Sequence, residues 1–280
     1  MISAPLSRKD TTQITVARNM PRVDNHSHIL KAKIVEMLAA AKTKNLREYS
    51  ITEHVSQFRE LRESIRFGSV HSTGRMFNDL KEYTDEFRKA DDHEDRNMKV
   101  NRGLEVDFSP RFEKSVGDFV AQEKWDILLC SVHEFDDGTD IERTLSVVDP
   151  ILGHERWREY LRLEQMALES DFVPFNVLSH PVRMARGKVD LPPEADDLLL
   201  DLGRTARRRN KALELNGNDI EYAPQLVRML ARACSKAGCR VSLGSDAHYP
   251  KDVFRNMEIA LDLVHEFNLE VFGHAASSES

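Results

Sequence analysis

Six short clusters of acids and histidines punctuate this chain: DNHSH at 24–28, TEH at 52–54, GLEVD at 103–107, SVH at 131–133, SHP at 179–181 and GSDAH at 244–248. Residues two apart on an extended segment point the same way. Asp24, His26 and His28 are therefore expected on one side, and Asp246 and His248 repeat the device. Such spacing offers two imidazoles to one ion. Glu105 closes an apolar run, where a carboxylate without a partner would be costly to bury and a cation removes that cost. A carboxylate can also bridge two ions, which an imidazole cannot. His54, His133 and His180 each end a different strand-like run. Zinc, manganese and iron accept this mixture of donors, whereas magnesium and calcium prefer oxygen alone. The expectation is a centre of at least two divalent metal ions. A lone histidine after an apolar strand is commonly just packed, and HxH alone is weak. Recurrence at the same strand end is what points to metal.

The elements that must position these groups alternate. Strand-like runs occur at Arg22–His26, Tyr49–Glu53, Val100–Val106, Asp126–Val132, Phe175–His180, Lys211–Asn216 and Arg240–Ser245, with a weaker one at Leu269–Phe272. Between them lie helical patterns. Ile34, Leu38 and Ala41 share a face, and Leu226, Val227, Leu230 and Cys234 form a stripe that Pro224 can open and Gly238 can stop. Asp252 is the expected cap of a last helix carrying Ile259, Leu261 and Leu263. Strand–helix alternation predicts parallel βαβ units, and seven strands predict a barrel whose active residues collect at its C-terminal rim. Two connections, 55–99 and 138–171, are long enough to shape a substrate mouth.

With 280 residues and no low-complexity tract, the chain reads as one domain; a barrel of this kind needs about 250 residues. A net charge of -7 argues against a nucleic-acid scaffold. No signal-peptide core and no run long enough to span a membrane appears, so a cytoplasmic protein is expected. Cys130, Cys234 and Cys239 read as reduced structural thiols.

In this order the motifs DxHxH, TEH, GLEVD, SVH, HP, ELN and GSDAH resemble the polymerase and histidinol phosphatase (PHP) superfamily, most of all its histidinol-phosphate phosphatase branch. The resemblance implies an α/β fold, a distorted (β/α)7 TIM-like barrel in a single domain over 21–280, behind a polar N-terminal tail at 1–20. It implies that His26, His28, Glu105 and Asp246 hold a first metal, Glu105, His133 and His180 a second, and His54 with His248 a third. This chain departs from the family after His28. Where members carry a polar loop with a further ligand, ILKAK runs directly into a helix, and Lys31 and Lys33 are the polar residues there. An ammonium repels a metal ion but can contact a phosphate.

The chemistry expected is hydrolysis by ionised water, with Asp246 orienting the nucleophile and His54 or His248, or a water they hold, supplying a proton to the leaving alkoxide. Arg183 and Arg186, just after SHP, suit bidentate phosphate contacts. The run RTARRRNK at 204–211 reads as the exposed end of a helix rather than a nucleic-acid patch, and His71 reads as a surface histidine. The expected partner is a small phosphorylated metabolite, by resemblance L-histidinol phosphate in histidine biosynthesis. A nucleotide or another phosphoester, or a degenerate metal-binding scaffold, are the alternatives.

Overall fold

The computed structural model describes residues 21–68, 74–90, 97–141, 150–187 and 190–273; the expected tail and His71 lie outside them. Seven parallel strands pair in sequence order: β1 Val23–Asp24, β2 Glu48–His54, β3 Lys99–Asp107, β4 Ile127–Ser131, β5 Val177–Leu178, β6 Ala212–Asn216 and β7 Arg240–Gly244. The first and last strands meet through Asn25 N–H to the Leu243 carbonyl at 2.8 Å and a bridge between Ser27 and Ala247. The sheet thereby closes into the expected barrel.

The strands show why closure is stable. Alternate residues (Leu104 and Val106, Leu128 and Cys130, Leu213 and Leu215, Val241 and Leu243) belong to the main core shared with the helices. The intervening Ile127, Leu129, Val177 and Ala212 form a separate small apolar cluster. A polar group lies beside it: Asn25 bonds Ser242 and Ser50, and Asn101 bonds Ser50. The same alternation sets Glu105 and Glu214 on the face of Ala212 and Gly103, away from the outer core.

The helices follow the apolar stripes. They are α1 Ile34–Thr43, α2 Arg59–Ser64, α3 Leu80–Ala90, α4 Glu113–Val120, α5 Pro150–Glu169, α6 Ala195–Arg208, α7 Gly217–Tyr222, α8 Pro224–Ala237 and α9 Met257–Phe267. In α8 the expected Pro start and Gly238 stop are both present, the glycine taking φ 64° to cap the helix. Helix α9 differs from expectation. It begins only at Met257 after Asn256, whose φ is 56°, while Asp252 lies in a 3-10 turn and Ile259 is exposed. The weak run at 269–272 contributes one bridge, Val271 to Val241, rather than a strand. The arginine-rich end of α6 pairs with acids: Arg204 with Asp201, Arg208 with Glu169, and Arg209, just beyond it, with Asp171. All three cysteines are buried free thiols. No described helix is long and apolar enough to cross a membrane.

Candidate metal centre

At the C-terminal ends of the strands five of the six histidines converge on Glu105, and His248 lies beside Asp246. Its Oε1 lies 2.8 Å from His180 Nε2 and 3.5 Å from His133 Nε2. Its Oε2 lies 2.8 Å from His54 Nδ1, 3.3 Å from His26 Nε2 and 3.5 Å from His28 Nε2. Asp246 Oδ1 closes the other side, 3.4 Å from His28 Nε2 and 3.5 Å from His248 Nδ1. Three groups have donor atoms close enough to share an ion: His26, His28 and Asp246; His54, Glu105 and His133; and His28, His54 and His248. His54 therefore lies both with Glu105 and with His248, where the family resemblance set it with His248 alone.

Whether these donors fit a metal is decided by their other atoms. His26 Nδ1 donates to Glu214 at 2.9 Å and His28 Nδ1 to Glu53 at 3.2 Å. Each carboxylate fixes a proton on Nδ1 and leaves Nε2 as the atom a metal can take. Those two Nε2 atoms face each other at 3.1 Å. Atoms so placed need a proton or a metal ion between them, so the donor set suits a divalent metal that displaces the proton. Asp107 does the same for His133 Nδ1.

Two donors sit on strained backbone. His180 and Asp246 have φ of 35° and 55°, a left-handed conformation that costs a non-glycine residue of order 1–3 kcal/mol and persists only where neighbours over-determine it. Pro181 further narrows the choices of His180. Asp24 is not among the donors. Strand β1 is only two residues long, so the alternation does not carry to His26, and the Asp24 carboxylate instead takes the N–H groups of Ser245 and Phe254 at 2.8 and 2.9 Å.

A model of the PHP domain family matches residues 24–218. The chain belongs to that family. A curated relative, histidinol-phosphatase of Lactococcus lactis subsp. lactis (strain IL1403), is 26% identical over 193 residues, 66% of this chain and 71% of its own. The crystal structure of histidinol phosphate phosphatase from that organism, complexed with zinc, L-histidinol and phosphate, superposes with a TM-score of 0.73 at 22% identity, covering 90% of this chain and 95% of the other. A solved structure from Listeria monocytogenes gives 0.65 at 19% identity, over 85% and 99%. These likenesses bear out the barrel. With PHP membership and this cluster of donors, the chain is a metal-dependent phosphatase.

The electrostatics of this PHP site follow from its packing. Burial resists charging His26 and His28. The carboxylates of Glu214, Glu105 and Asp246 outweigh it at His26, and Asp246, Glu53 and Glu105 hold His28 at about 9. Burial likewise opposes charge on His133, but Asp107 and Glu105 hold it well above the usual imidazole range. Burial and the Arg183 cation push His180 down to about 3, and burial beside His28 pushes His248 to about 4. Burial works against charge on Glu105 and Asp246, yet the surrounding cations hold both well below the carboxylate range.

A cavity of about 200 Å³ opens over the donors, bordered by Lys31, Arg183, Arg186 and Asn218. Lys33 is exposed at the start of α1 and does not line it. Arg183 is buried, donating to Asp246 Oδ2 at 2.7 Å with its Nε 3.2 Å from Asp219 Oδ1. Arg186 lies farther out, 3.9 Å from each of those carboxylates and over the ring of Tyr222.

Sequence reasoning gave no role to Glu53, Asp107 and Glu214, which orient three of the histidines. All three stood inside quoted motifs (TEH, GLEVD, ELN), where a second acid beside a ligand was the available signal. Asn218, which donates to Asp246 Oδ2 at 3.2 Å, carried none.

Proposed function

We propose that this protein hydrolyses a small phosphomonoester, L-histidinol phosphate first among the candidates, releasing histidinol and phosphate in the cytoplasm. Two to three ions of zinc, manganese or iron would be held by His26, His28, Glu105 and Asp246, by Glu105, His133 and His180, and by His54 with His248. The observation that carries the reading is the facing pair of His26 and His28 Nε2 atoms beside Glu105, under a cavity whose border is cationic. The substrate is suggested by the Lactococcus relative's name.

When bound, divalent ions supply Lewis acidity and ionise water near neutral pH. The chain does the rest. Arg186 and Lys31 receive the phosphoryl oxygens, and Arg183 shares that work while holding Asp246 by its outer oxygen. Asp246 orients the attacking water through Oδ1. At the leaving-group side a water held by His54 and His248 would hand its proton to the alkoxide, His248 itself being neutral at pH 7 in the metal-free site.

A screen of phosphorylated metabolites against metal-replete protein tests the reading. Phosphate release from histidinol phosphate, lost with a chelator and restored by metal, is the expected result. Preferential release from nucleotides would replace the substrate. No release from any phosphoester by protein carrying stoichiometric metal would leave only a scaffold.

A further inference from the structure

Helix α5, within the long connection after β4, brings an unexpected pair of polar side chains behind the site. Tyr160 and Glu164 lie one helical turn apart on a face that also carries Trp157, Leu161 and Leu168, and both are fully buried. The Tyr160 hydroxyl donates to the carbonyl oxygen of His180 at 3.0 Å. The same carbonyl accepts the Arg183 N–H at 2.9 Å, and the His180 N–H donates to Glu214 Oε2 at 2.7 Å. The left-handed backbone of His180 is thus clamped on both of its peptide groups. That conformation sets its Nε2 2.8 Å from Glu105.

A buried carboxyl beside a buried phenol needs an explanation, because neither reaches the cavity. We propose that Tyr160 is a positioning residue for His180: the phenol's one proton sits on the His180 carbonyl and holds that residue in its turn, while Glu164, one turn along with neither carboxyl oxygen hydrogen-bonded, leaves that proton in place. A hydroxyl has a single proton and can donate to one acceptor. A charged Glu164 would compete for it, whereas a neutral one leaves it on the His180 carbonyl. Burial favours the neutral acid, pushing Glu164 up to about 8 against the partial offset of Tyr160 and His133. The inference rests on the role of His180 proposed above.

The test is a cobalt(II) titration of metal-free protein, read by visible absorption, together with steady-state kinetics. The parent should show at least two uptake steps. Tyr160→Phe keeps the ring and removes the donor. It should weaken the step that involves His180 by about tenfold or more, the usual effect of losing an outer partner of a ligand. The other step should stay in place, and kcat should fall with KM unchanged. Glu164→Leu removes the neighbouring carboxyl but keeps the phenol and should behave as the parent. If Tyr160→Phe does not fold, the Tyr160 hydroxyl proton of the parent, followed by NMR, carries the test and should exchange slowly with water. A parent-like isotherm for Tyr160→Phe overturns the inference, as does a Glu164→Leu protein as weak as Tyr160→Phe or a rapidly exchanging Tyr160 hydroxyl. A parent protein that takes up no second ion overturns it together with the metal assignment beneath it, so the two failures are distinguishable.

Discussion

Glu214 and His26 meet at 2.9 Å across an intervening strand, and they can do so because that strand has no side chain at the crossing. A Cβ added at Gly244 would fall 2.1 Å from Glu214 Oε1 and 2.5 Å from His26 Cβ. The glycine of GSDAH therefore serves the approach of a carboxylate to an imidazole. Gly244→Ala should displace that carboxylate and cut metal affinity by about 10- to 100-fold, as Glu214→Ala should, without altering any donor. Isothermal titration of metal-free protein checks it. Unchanged affinity in Gly244→Ala would mean the pair is not needed.

Glu105 presents one oxygen to His180 and the other to His54. Glu105→Ala should abolish hydrolysis and lower bound metal by more than one ion per chain, measured by elemental analysis of the replete protein. Retention of both ions would refute a bridging role.

The raised His26, His28 and His133 make metal uptake a proton exchange. The metal-free site holds His28 protonated until pH rises through about 9, and an ion must expel that proton. Affinity should therefore climb with pH and level off above that value. At pH 7, calorimetry in buffers of different ionisation enthalpy should report more than one proton released per chain. A pH-independent affinity between 6 and 8 would count against these carboxylate-backed histidines as the donors.

The two arginines divide a role that the sequence assigned to them jointly. Arg186→Ala should raise KM for phosphoesters by about 10- to 100-fold, given the ~1.5–3 kcal/mol of a hydrogen bond to a charged group, with kcat and metal content kept. Arg183→Ala should lower kcat as well, because Asp246 loses its 2.7 Å partner. Indistinguishable kinetic profiles would contradict this division.

The barrel and the six histidines were legible because strand ends must be short, apolar and closed by the residues that do chemistry. His26 through His248 announce themselves by type. The partners of those histidines were less legible, since Glu53, Asp107 and Glu214 differ from ordinary acids only in what they face. Asp24 misled for a physical reason: alternation holds only while a strand lasts, and β1 ends at that residue. Tyr160 and Glu164 were hidden by distance, because the contact to His180 joins a helix to a strand end and depends on how α5 docks.

Glu164 also predicts a pH signature of stability. Its ordinary value is 4.5, and burial lifts it to about 8 in the folded chain. Between those values the folded state keeps a proton that the unfolded state has lost. Stability therefore falls as pH rises through this window, by at most about 1.4 kcal/mol per pH unit, and is level above it. Glu164→Gln removes the titration, so the melting temperature of the variant relative to the parent should increase steadily from pH 5 to pH 8 in metal-free protein. A difference that stays constant across that range would show that Glu164 is ionised in the folded state.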